Sequence, residues 1–169
     1  MTAFVVDTNV ILVANGQHQD VSAICLATCA TKLQSIMRSE KLVVDDCFII
    51  LQEYQNKTTP KTGNRPGDAF VKWALRNNAN TDRIDQVALQ VHQERGFESF
   101  PDCPALKNFD PPDRVFVAVA AAHFQTPPIL QAADSKWLDW TASLAHHNVN
   151  VEFLCRDDIE RFQENKSKK

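Results

Sequence analysis

Phe4-Val5-Val6 runs straight into Asp7-Thr8-Asn9, and this junction constrains the fold more than any other stretch. Aromatic and β-branched residues follow one another without polar alternation, which is the pattern of a strand buried on both faces. Such a strand belongs inside a parallel sheet, whose carboxyl edge opens onto the crevice where α/β folds bind ligands. Asp7 then stands at the mouth of that crevice. The same carboxylate could instead cap the helix that follows, because an N-cap Asp accepts from amides of the first turn.

The remaining pattern alternates between the two periods. Asp20 stands where an N-cap would, and Val21, Ile24, Cys25, Thr28, Cys29, Leu33, Ile36 and Met37 then form a helical stripe. Lys41 to Val44 reads as a second strand, closed by Asp45 and Asp46. Either acid could cap the next helix, which begins near Phe48, carries Glu53 and runs into Lys57. Thr58 to Gly67, with Pro60, Gly63 and Pro66, predicts a long loop before a helix near Asp68. Ile84 to Val91 fits both periods and is read as a strand.

Gly96 to Pro112 is a proline-rich excursion, and Asp113 opens a helix through His123. Pro128 to Ala133 is a strand ended by Asp134; Trp137 to Ala145 is a helix, Val149 to Leu154 a strand, and Asp157 to Phe162 a helix. Strands alternating with helices predict an α/β sandwich around a mostly parallel sheet. One domain is expected over residues 1–162, with a frayed basic tail over 163–169.

A chain of 169 residues suits one domain with a sizeable core, and 44% hydrophobic with 23% charged residues is an ordinary soluble composition. No apolar run reaches the length of a bilayer, and Met1 is not followed by the charged-then-apolar order of a signal peptide. The five cysteines, Cys25, Cys29, Cys47, Cys103 and Cys155, are odd in number and scattered. They are read as reduced core residues, which points to the cytoplasm. Cys25 and Cys29 can share one buried helix face. The net charge of −3 steers weakly toward any partner.

Asp7 and Asp134 end strands, Asp113 opens a helix, and Glu53 lies on the helix after the second strand. In a parallel sheet these positions share one edge, so the four carboxylates can converge. Converging carboxylates repel unless a hard cation neutralises them, and an oxygen-only set suits Mg2+ or Mn2+ better than zinc. Such a centre activates water and stabilises charge on a phosphate under attack. Each acid also has another use: Asp113 and Asp134 as caps, Glu53 as a solvated partner of Lys57.

Val6-Asp7-Thr8-Asn9, then Glu53, then Asp113-Arg114-Val115-Phe116-Val117-Ala118-Val119-Ala120, then Leu130-Gln131-Ala132-Ala133-Asp134, resemble in order and separation the PIN-domain nucleases. The likeness is to stand-alone members of prokaryotic type. It implies a three-layer α/β/α sandwich and metal-dependent cleavage of phosphodiester bonds in single-stranded RNA. It also implies that Asp7, Glu53, Asp113 and Asp134 are both the metal ligands and the catalytic acids, with Thr8 and Asn9 supporting Asp7. A toxin member would have a protein inhibitor, an antitoxin, as partner, and family members often form homodimers. Asp110 is a further candidate ligand, while Asp139 is expected to be exposed. Lys136 places a positive charge beside Asp134, where it can bind phosphate or oppose a metal.

Lys57, Lys61, Arg65, Lys72, Arg76 and Lys136 are candidates for holding the nucleic-acid backbone. Trp73, Trp137 and Trp140 could stack bases or pack on the sheet. Two other functions compete. A binding module that keeps the fold without chemistry would be favoured by a missing acid, and none is missing. An aspartyl-phosphate enzyme built on Asp7 wants a second acid two residues on, where this chain has Asn9.

Overall fold

The computed structural model describes residues 1–168. In chain order the first half contains β1 (Ala3–Val6), α1 (Thr8–Ala14), α2 (Ala23–Ser39), β2 (Lys41–Asp45), α3 (Ile49–Lys57) and α4 (Pro66–Asn77). The second half contains β3 (Ile84–Val87), β4 (Val91–His92), β5 (Gly96–Phe97), α5 (Arg114–Ala122) and β6 (Ile129–Gln131). It closes with α6 (Thr141–His146), β7 (Val151–Phe153) and α7 (Arg156–Ser167).

All four residues of β1 are buried, as a central strand requires. The sheet has five strands in the order β3-β2-β1-β6-β7, and every pairing in it is parallel. Helices flank it to give a three-layer α/β/α sandwich. The short pair β4–β5 forms a separate antiparallel hairpin. From β1 the chain moves out to β2 and β3, then returns to lay β6 on the other side of β1. The order therefore reverses between β1 and β6. Right-handed crossovers leaving in opposite directions place their helices on opposite faces, and a crevice opens where they part.

Helix α2 buries Cys25, Cys29, Leu33 and Ile36 of the expected stripe, whereas Ile24, in its first turn, is turned out to solvent. Its N-cap is Ser22 rather than Asp20, with Ser22 Oγ accepting from the Cys25 amide at 3.1 Å. Of the acid pair after β2, Asp45 caps α3, accepting from the amides of Cys47, Ile49 and Ile50. Phe48 adopts a left-handed φ of 66° in that turn. Only Ile84–Val87 of the ambiguous stretch joins the sheet, and Val91 begins the hairpin. A 3-10 helix over Ser135–Asp139 precedes the short α6. Helix α7 continues to Ser167, so most of the expected frayed tail is helical; Lys169 lies outside the described residues.

Cys25 and Cys155 form a disulfide, correcting the expectation of five reduced cysteines. The fold brings the start of α7 against the first turn of α2 across 130 residues of sequence, which no local spacing reveals. The premise for assigning a compartment falls with it. Among the described residues no helix is long and apolar enough to cross a membrane. Phe109 packs edge-on against Trp137 and also against Trp140, so these two indoles pack on the fold rather than offering free faces to bases.

The long loop before α4 is fixed by Asp68, which has no exposed side-chain surface. Its Oδ1 accepts from the Thr59 amide at 2.9 Å and Asn15 Nδ2 at 3.0 Å, and Oδ2 from Arg65 Nε at 3.1 Å. Burial pushes the carboxyl up, but Thr59, Arg65 and Asn15 together hold it below the ordinary range. Its stabilising contribution is therefore present above ~4 and lost as pH falls. Asp68→Ala strands several buried donors and is expected to cost about 2–4 kcal/mol in urea denaturation at neutral pH.

Candidate metal centre

Asp7 follows β1 at the point where the strand order reverses. Its Oδ2 accepts from the Asn9 amide at 3.0 Å, so the carboxylate does cap α1. The same oxygen accepts from Gln131 Nε2 at 3.0 Å. Oδ1 accepts no hydrogen bond among the described residues and is available to a ligand. Gln131 is fully buried on β6, and its own Oε1 is held by the Ala132 amide at 2.9 Å. Beneath them the Tyr54 hydroxyl donates to the Val6 carbonyl, fixing α3 under the end of β1. Burial, then the charge of Asp113 and more weakly that of Glu53, push Asp7 up to about 8 despite the bonds from Asn9 and Gln131.

Asp113 closes a 3-10 turn over Pro111–Asp113 and immediately precedes α5, yet its side chain makes no capping bond. A carboxylate that stands at a helix start without capping it is free for other work. Burial pushes it up to about 6; Lys136 opposes this, while Glu53, Asp134 and Asp110 add to it. Glu53, on α3, accepts from Thr8 Oγ1 at 3.0 Å. Burial raises it above the usual carboxylate range in spite of Thr8 and Lys57. Asp134 partly serves as a cap, its Oδ1 accepting from the Lys136 amide at 3.2 Å. The structure thus brings Asp7, Glu53 and Asp113 within electrostatic reach of one another, with Asp134 in reach of Asp113.

The carboxylates do not close a tight cage. Among the described residues no three of them bring donor oxygens within 4.8 Å of one another. A magnesium-class ion gives up its waters reluctantly and is commonly held by one or two carboxylates, so it would not need three of these acids in direct contact. The donors are all oxygen, and burial, with mutual repulsion added at Asp7 and Asp113, raises the affinity of Asp7, Asp113 and Glu53 for protons. The residues present therefore fit Mg2+ or Mn2+.

Lys136 bonds Asp110 and lies 3.8 Å from Asp134, so its ammonium already answers part of the negative charge. Asp110 is drawn to Lys136, and Asp139 remains exposed. Lys136→Ala removes a like charge from beside the metal position. It is expected to tighten Mn2+ binding roughly three- to tenfold in calorimetric titration.

Asn9 Oδ1 accepts from the Ala133 amide at 2.9 Å and ties the loop after β6 to the start of α1. Thr8 serves Glu53, and Asn9 serves the crevice wall and, through its amide, Asp7. Arg65 is committed to Asp68, leaving Lys57, Lys61, Lys72 and Arg76 as basic groups on α3, its loop and α4. Sequence reasoning assigned no role to Gln131. Its signal was present all the same: one amide inside the apolar run Ile129 to Ala133. No family model, curated protein or solved structure matches this chain.

Proposed function

We propose that this chain is a Mg2+- or Mn2+-dependent endoribonuclease of PIN type that hydrolyses phosphodiester bonds in single-stranded RNA. The observation that carries the reading is the uncommitted carboxylate of Asp113 facing Asp7, Glu53 and Asp134 at the reversal point of a parallel sheet. When bound, the divalent ion supplies an activated water and offsets charge on the phosphate. Asp7, clamped by Asn9 and Gln131, and Asp113, clamped by nothing, would hold it. Glu53, oriented by Thr8, would position the attacking water. Lys136 can exchange Asp110 for a phosphate oxygen of the substrate, since an exposed lysine turns easily. The RNA preference comes from the family resemblance alone.

Purified protein incubated with labelled single-stranded RNA, and with DNA of the same sequence, tests this reading. RNA cleavage that requires Mn2+ and stops on chelation is expected. Binding of RNA without cleavage in any divalent ion would leave a nucleic-acid-binding module in its place.

A further inference from the structure

Cys25 lies in the first turn of α2, and Cys155 is the residue from which α7 starts. The amino ends of two long helices therefore meet at one disulfide. Cys29, one turn further along α2, places its Sγ 3.8 Å from Cys155 Sγ. All three sulfurs lie within 4.8 Å of one another, and all three residues are buried. Zinc–sulfur bonds of about 2.3 Å in tetrahedral geometry set ligand sulfurs about 3.8 Å apart. That is the Cys29–Cys155 spacing, and breaking the Cys25–Cys155 bond frees Cys25 Sγ to move out to a like distance.

We propose that Cys25, Cys29 and Cys155, once the disulfide is reduced, form a three-thiolate site for a thiophilic d10 cation, zinc(II) or copper(I). Oxidation to the Cys25–Cys155 disulfide closes it. Three thiolates around zinc(II) leave one net negative charge, which the amino ends of α2 and α7 favour. Burial and the charge of Asp158 push the metal-free Cys29 thiol up to about 12, so the ion must displace its proton. The frame does not depend on the disulfide. Asp158 on α7 accepts from the Ser22 amide at 2.6 Å and Ser22 Oγ at 2.7 Å, and pairs with Arg161 at 3.1 Å. This latch holds the two helix starts together after reduction. Cys25 and Cys155 also line a surface cleft with Ser22 and Thr28, giving a reductant and the ion a path and zinc a water as fourth ligand.

The chemistry balances with a dithiol as reductant. Two electrons and two protons pass to Cys25 and Cys155, the S–S bond breaks, and the dithiol leaves as its own disulfide. Metal binding then releases the thiol protons to solvent. The site uses none of the crevice acids, so it stands or falls apart from the nuclease reading.

Reduced protein, freed of dithiol under anaerobic conditions and held in excess Mg2+, is titrated separately with zinc(II) and copper(I) against competing chelators. At least one of them is expected to bind at one ion per chain, while the oxidised protein binds neither. Cys29→Ser keeps the Cys25–Cys155 disulfide as a check on folding and should lower the affinity of the reduced form at least about 100-fold. Cys47→Ser and Cys103→Ser should leave it unchanged. Failure of both ions to bind reduced wild type, or equal binding by Cys29→Ser, overturns the proposal.

Discussion

Replacing Asp113 by asparagine is expected to lower Mn2+-dependent RNA cleavage about 100- to 1000-fold while leaving the fold intact. The side chain makes no capping bond, so the amide forfeits no structural hydrogen bond. Burial raises its pKa against the attraction of Lys136, and Glu53, Asp134 and Asp110 add to the rise. Neutralising it therefore relieves the cost of a buried charge in the metal-free protein. A purely structural acid would show the opposite pattern, a loss of stability with activity scaling to the folded fraction. Initial rates at saturating Mn2+, read beside thermal melts, separate the two. An Asp113→Asn protein that cleaves like wild type would assign the activity to a contaminant or another centre.

Asp7→Asn should be more stable than wild type at neutral and mildly alkaline pH without metal, and should lose the stabilisation that Mn2+ gives. Asp7 sits at about 8 in the fold, against an unfolded value of ~4. A group whose folded pKa is raised contributes its full stability below the unfolded value and loses it as pH rises to the folded value. The wild-type protein without metal therefore weakens from about pH 4 to pH 8, by an amount on the order of a few kcal/mol. Asparagine is as good an N-cap as aspartate, so the bond from the Asn9 amide survives the change. Mn2+ stabilises wild type by mass action, because only the folded state assembles the acids. Melts across that pH range, with and without Mn2+, are the measurement. A flat wild-type profile, or equal Mn2+ shifts in both proteins, would remove Asp7 from the centre.

The core of this fold is legible because hydrophobic period reports burial directly. β1, β2, α2 and the sheet-facing α5 stand where their apolar patterns put them. Their carboxyl-edge acids follow from the rule that ligands gather at that edge. What escaped notice depends on contacts between distant segments. Ser22 rather than Asp20 caps α2 because Asp158, from the far end of the chain, holds Ser22 in place. Cys25 finds Cys155 across the fold, and Gln131 gains its role only because β6 lies beside β1. The run after Asp134 splits into a 3-10 turn and the short α6, with Trp137 buried in the core against Phe109. Lys136 was visible as a charge beside Asp134, but its attachment to Asp110 needed the loop before α5 to be folded.

Calorimetric titration of wild type with Mn2+ in two buffers of different ionisation enthalpy tests the central claim most directly. At pH 7 Asp7, at about 8, is largely protonated, while Asp113, at about 6, is largely not. Binding at the crevice must therefore expel about one proton per ion, fewer as pH passes 8, and Asp7→Asn must abolish that release. Absence of binding, or binding with no proton release in wild type, would contradict a metal centre built on these four acids.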